Sequence, residues 1–163
     1  MVDDRDRDVG ARVIAGPGLV GRPERVAAAL TARVRESIEA LEAAANCPEL
    51  ALDLPQGLSP DARFLRFVDA VAALAVPTLD DLVAEFCTLC VRERLEPAAE
   101  AAILQDRAAD LIAYFCQLAH VHGVAFASDR EAPSAREVDR ALASLAADLR
   151  ARLESGLRSR ASR

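Results

Sequence analysis

Residues 78–123 read TLDDLVAEFCTLCVRERLEPAAEAAILQDRAADLIAYFCQLAHVHG, and this stretch decides the fold. Its first half has the spacing of a helix with one apolar face, formed by Leu79, Leu82, Val83, Phe86, Leu89 and Cys90. Pro97 suits the first turn of a second helix, for which Gly123 is a natural C-terminal stop. Because the two patterns almost touch, Glu96-Pro97 predicts a tight hairpin between antiparallel helices.

Helical periodicity also extends to the N-terminal side of this stretch. An apolar stripe between Pro23 and Asn46 predicts a first helix. Residues 47–58 are too rich in proline and glycine for a regular element.

Ser59-Pro60-Asp61 has the residues of a helix start, with a capping hydroxyl, a proline and a carboxylate. We expect this helix to end before Pro77, because proline disrupts a helix interior. Thr78 would then cap the next helix.

On the C-terminal side, residues 124–133 are expected to form a loop. Ser134 and Glu137 have the spacing of a capping box, which predicts the start of a last helix. The fold class is therefore all-α, a bundle of about five mostly antiparallel helices. The expected organisation is a flexible arm at residues 1–22, one helical domain at 23–158 and a frayed basic tail at 159–163.

Composition excludes several classes of protein. The chain has 163 residues, a net charge of −6 and 52% hydrophobic residues, which argues against a disordered chain and against charge-driven nucleic-acid binding. All 20 basic residues are arginine, a bias that we attribute to bacterial-like coding composition. The acidic start MVDDRDRD is unlike a secretory signal, so we expect a cytoplasmic protein. The uncharged stretch 111–128 contains two histidines and a glycine, so no membrane helix is expected.

Residues 16–21, GPGLVG, resemble the dinucleotide-binding fingerprint of glycines around a phosphate. Pro17 removes a backbone N–H from this loop, and the chain offers no parallel strands to hold such a site. We therefore interpret these residues as part of the arm and expect no cofactor.

Four side chains supply the donor types that zinc accepts, namely Cys87, Cys90, Cys116 and His120. A hairpin at Pro97 would separate the pair on the first helix from the pair on the second by roughly 15 Å along the axis. The sequence therefore predicts no metal site within one chain, and metal binding remains a weaker alternative.

The motif Cys87-Thr88-Leu89-Cys90 resembles that of the all-α alkylhydroperoxidase D-like proteins, in which a histidine follows the second cysteine. The resemblance implies thiol redox chemistry. Arg94 stands in the place of that histidine, and Cys87 lies far from the helix start whose dipole would favour a thiolate. Redox chemistry is thus a second alternative, and small buried packing residues are the main interpretation.

A helical wheel places His122 with Leu111, Phe115 and Leu118, so it is expected to face the core. An apolar cavity between Phe86 and Phe115, with Cys90 and His122 on its wall, would suit a small-molecule sensor or carrier.

A second stripe of small residues shares the helix of Phe115 and contains Ala102, Ala109, Ala113, Cys116 and His120. A helix with two such faces either lies between neighbours or meets another subunit. No catalytic motif accompanies it. Our leading hypothesis is a non-enzymatic interaction module, such as an adaptor, regulator or assembly subunit, that binds a protein partner or self-associates.

Overall fold

The computed structural model describes residues 20–44 and 52–163. Within these ranges the chain forms four helices and no strand, and the helices are α1 (Arg22–Ala44), α2 (Pro60–Arg92), α3 (Ala101–Ala127) and α4 (Ala135–Ala161). The all-α prediction is confirmed, whereas the expected number of about five helices is wrong. Of the arm predicted at 1–22, residues 1–19 lie outside the described residues, and with them all of the glycine motif except Val20 and Gly21. Residues 45–51 also lie outside them.

The number of helices differs because α2 continues through Pro77, where we expected an end and a new start at Thr78. Proline removes one hydrogen bond within a helix, at a cost of about 3 kcal/mol. Pro77 and Ala73, whose carbonyl loses that bond, are both exposed, so water can reach the freed carbonyl. Ala75 and Leu79 on either side are fully buried, and their packing holds the helix together across the proline.

The predicted caps are confirmed at two helix starts. The Ser59 hydroxyl accepts a hydrogen bond from the Ala62 N–H, and the Ser134 hydroxyl accepts one from the Glu137 N–H. Asp61 also joins the two starts, because its carboxylate accepts hydrogen bonds from the Ser134 N–H at 2.7 Å and from the Ser134 hydroxyl at 3.1 Å. The N-termini of α2 and α4 therefore lie at the same end of the bundle.

Ion pairs show how the helices run. Arg25 near the start of α1 pairs with Glu93 just past the end of α2, so α1 and α2 are antiparallel. Arg152 pairs with Asp80, and with the contact between the two helix starts this makes α2 and α4 parallel. The central pair is α2 and α3, and both α1 and α4 pack against each of them.

The predicted hairpin lies where expected, although α3 begins at Ala101 rather than at Pro97. The end of α2 has the hydrogen bonds of a Schellman motif, from Leu95 N–H to the Cys90 carbonyl and from Arg94 N–H to the Val91 carbonyl. Arg94 occupies its left-handed position with φ of 57°, where glycine is usual. This turn reverses the chain between α2 and α3.

The predicted stop at Gly123 is wrong, since α3 extends one turn further to Ala127. Gly123 is buried, and a Cβ atom there would lie 2.9 Å from a ring carbon of Phe64 and 3.1 Å from one of Phe67. The glycine therefore allows α2 and α3 to approach closely. At the other end of the chain, residues 159–161, which we expected in the tail, belong to α4.

One continuous core fills the space between the four helices. Its largest fully buried side chains are Phe64, Phe86, Phe115, Leu30, Leu79, Leu104 and Leu111. None of the helices within the described ranges is both long and apolar enough to cross a membrane.

Candidate functional site

A surface groove with a volume of about 690 Å³ lies between the C-terminal halves of α2 and α4. Its surface is polar and apolar in about equal parts, and the apolar part, its floor, comes from α2, where Ala84, Cys87 and Val91 line it together with the buried Val83. Val91 is 71% exposed, more than any other large hydrophobic side chain in the described ranges. Val91 therefore presents an apolar surface in the groove that the core does not cover.

Small residues on α4 create this groove. Ser155, Gly156 and Ser159 face α2, where longer side chains would fill the space. A Cβ atom at Gly156 would lie 3.6 Å from a methyl carbon of Val83, which is ordinary van der Waals contact. The two parallel helices thus touch at Gly156 and leave an open channel beside that contact.

Charged side chains border the apolar floor. The Arg152 guanidinium donates two hydrogen bonds to Asp80, at 3.2 Å from Nε and 2.8 Å from Nη2. This hydrogen bonding holds the pKa of the Asp80 carboxyl below its usual range, with a further contribution from the positive charge of Arg160. Arg160 and Arg163 also line the groove, and neither has a salt-bridge partner within the described part of the chain.

The two cysteines of the redox alternative lie at and below this floor. Cys87 is partly buried at the groove, and Cys90 is fully buried in the core. Burial raises the pKa of the Cys87 thiol, and the charge of Arg160 only opposes that rise. Burial also raises the pKa of Cys90 to about 11. Arg94 lies in the turn after α2 and is exposed, so neither thiol has the environment that activates a nucleophile.

We therefore expect the native protein to react slowly with iodoacetamide at neutral pH. The labelling rate of Cys87 should keep rising through pH 9, since the thiolate is the reactive form and its pKa is raised. Cys90 should react mainly when the protein opens, because it is 0% exposed. Peptide mapping by mass spectrometry measures each site, and urea-unfolded protein is the control. A rate for Cys87 that levels off below about pH 7.5 would instead identify an activated thiolate.

The structure separates the four candidate zinc ligands. The Cys116 thiol lies 3.9 Å from the Leu142 carbonyl of α4, whereas Cys87 faces α4 near Gly156. Leu142 and Gly156, the α4 residues that these two cysteines face, are about 20 Å apart along the helix at 1.5 Å per residue. Burial raises the pKa of Cys116 as well, and His120 is exposed. Residues 20–44 and 52–163 contain no group of three or more His, Cys, Asp or Glu residues that could hold one metal ion.

Of the residues of the expected ligand cavity, His122 lies apart from the other three. Phe86, Cys90 and Phe115 are fully buried within the core. His122 is exposed, so the prediction that it faces the core is wrong. It lies instead beside a smaller groove of about 300 Å³ between α1 and α3, with Tyr114.

The reason for the error at His122 is the direction of the buried stripe on α3. Past Phe115 this stripe advances in steps of four through Ala119, Gly123 and Ala127, all of them buried. The helical wheel continued it from Leu118 to His122. Helices pack at an angle, so the line of contact drifts around a long helix and leaves His122 outside it.

Sequence reasoning did not find the groove between α2 and α4. In the sequence, Arg152 and Gly156 interrupt the apolar rhythm of the last helix. That interruption was the available signal, since small residues next to arginines on an otherwise amphipathic helix fit an uncovered surface. However, only the parallel packing of α2 against α4 brings those residues close to Val83 and Val91, and the sequence does not show that packing.

Comparison of the chain with protein-family models, with curated proteins and with solved structures finds no match.

Proposed function

We propose that this chain is a non-enzymatic helical interaction module, an adaptor, regulator or assembly subunit, that binds a protein partner in the groove between α2 and α4. The observation that carries this proposal is Val91, a valine 71% exposed at an apolar floor bordered by arginines. An exposed apolar patch with a charged rim is typical of protein-binding sites.

The chemistry of the thiols supports a binding role over a catalytic one. Cys87 is the reactive side-chain type nearest to the groove, and burial raises its pKa. A neutral thiol is a small apolar group that suits the floor of a docking surface.

A photo-crosslinking experiment tests the proposal. The substitution Val91→p-benzoylphenylalanine places a photoreactive group in the groove, and Leu65→p-benzoylphenylalanine is the matched control. Leu65 lies on the same helix at its other end and is 39% exposed. We expect irradiation in cells of the source organism to give a discrete protein adduct from position 91 and none from position 65. No adduct from position 91, or equal adducts from both, would contradict the proposal.

A separate measurement addresses self-association, which the small-residue face of α3 suggests. Ala102, Ala109 and Ala113 are exposed, so a second copy could pack there. Light scattering after size exclusion gives the mass of the purified protein. A monomer over the accessible concentration range would remove self-association from the proposal and leave a different partner chain.

A further inference from the structure

Positive charge is concentrated beside the α2–α4 groove in an otherwise acidic protein. Residues 150–163 contain five arginines and one glutamate, whereas the whole chain has a net charge of −6. That glutamate, Glu154, already pairs with Arg158. Charge complementarity at this groove therefore favours a negatively charged occupant.

Two of these arginines are available to such an occupant. Arg152 already binds Asp80 through two hydrogen bonds. Arg160 and Arg163 line the groove, and in the described part of the chain no carboxylate forms a salt bridge with either. Their guanidinium groups can donate hydrogen bonds to one or two carboxylates of a partner without breaking an existing salt bridge.

The shape of the floor indicates an amphipathic helix. Ala84, Cys87 and Val91 follow one another at steps of three and four and form a partly exposed stripe along α2. The part of α2 that lines the groove, from Asp80 to Val91, is about 16 Å long at 1.5 Å per residue, or about three helical turns. A helix of that length, with apolar residues at i, i+4 and i+7, would lie along this stripe.

A second copy of this chain is a poor source of that helix. The apolar stripes of the four described helices are already buried in their own core, as Leu30, Leu79, Leu111 and Leu149 illustrate. Releasing one of them would unfold the bundle. The described helices therefore do not supply the occupant, and a different protein is its expected source.

We propose that the α2–α4 groove binds an acidic amphipathic helix of about three turns from another protein, with its apolar face on Ala84, Cys87 and Val91 and its carboxylates on Arg160 and Arg163. This inference rests on the proposed function, since it names the kind of partner that the same groove takes.

The test measures binding of two fluorescein-labelled helical peptides by anisotropy. Both have about 14 residues and leucine at i, i+4 and i+7, with glutamate at the flanking positions of one and lysine in the other. We expect the glutamate peptide to bind at least about tenfold more tightly, and the difference to shrink as salt is added.

The double variant Arg160→Glu, Arg163→Glu should weaken binding of the glutamate peptide about tenfold. The matched control is Arg130→Glu, Arg136→Glu, which makes the same change in net charge at exposed positions at the other end of α4. This control should leave the affinity within about twofold of wild type. Circular dichroism checks that both variants fold.

Several results would overturn the inference. Equal binding of the two peptides, or an equal loss of affinity in both double variants, would show that the groove does not select acidic helices. An adduct of twice the chain mass from position 91 would make the occupant a second copy. If neither peptide binds but position 91 gives a discrete adduct of another mass, the proposed function stands and the acidic helix is wrong.

Discussion

Replacing Phe86 by alanine is expected to lower the free energy of unfolding by about 3–5 kcal/mol. The ring is 0% exposed in the C-terminal half of α2, and Phe115 on α3 is equally buried. Removing the ring leaves a cavity that a close-packed helical core closes only in part. Urea denaturation monitored by circular dichroism measures the change.

This substitution also distinguishes a packed core from the ligand cavity considered in the sequence analysis. If Phe86 lined an open cavity, its truncation would remove few contacts and would cost less than about 1 kcal/mol. The control is Val91→Ala on the same helix, which should change stability by no more than about 0.5 kcal/mol because Val91 is exposed. A small loss in Phe86→Ala would revive the sensor or carrier alternative.

Gly123→Ala is expected to lower the free energy of unfolding by about 1–3 kcal/mol, although alanine is the better helix former. The added methyl group would lie 2.9 Å from Phe64 and 3.1 Å from Phe67. Both rings are buried and packed, so relief requires α2 and α3 to move apart. Thermal and urea unfolding should both detect the loss.

Gly156→Ala is the matched control, and its effect should have the opposite sign. The new methyl group would contact Val83 at 3.6 Å without a clash. Alanine also favours the helical state, so we expect stability to rise by about 0.5–1 kcal/mol. If both glycine variants were stabilised alike, Gly123 would not be a point of close contact between α2 and α3.

Local features of the fold could be predicted because they depend on neighbouring residues. The Ser59 and Ser134 caps rely on side chains that bond to backbone only three residues away. The reversal near Pro97 needs only the end of one helical pattern beside the start of another. The burial of Cys90 follows from its place in a strong apolar stripe.

Other features depend on distant contacts that periodicity does not contain. Pro77 is a helix breaker by local rules, yet the buried neighbours Ala75 and Leu79 hold α2 together across it. Gly123 is typical of a helix end by local rules, yet it lies inside α3, where its missing side chain leaves room for the rings of Phe64 and Phe67. In each case tertiary packing outweighs a local cost of a few kcal/mol.

The helical class, the Ser59 and Ser134 caps and the chain reversal between Cys90 and Leu104 follow from the sequence alone, because they arise from short-range hydrogen bonding and apolar spacing. Only the tertiary structure decided that α2 and α4 run in parallel, which brings Val91 and Arg160 to one groove. The tertiary structure also places His122 at the surface. The angle between packed helices sets which side chains meet, and the apolar pattern along one helix does not contain that angle.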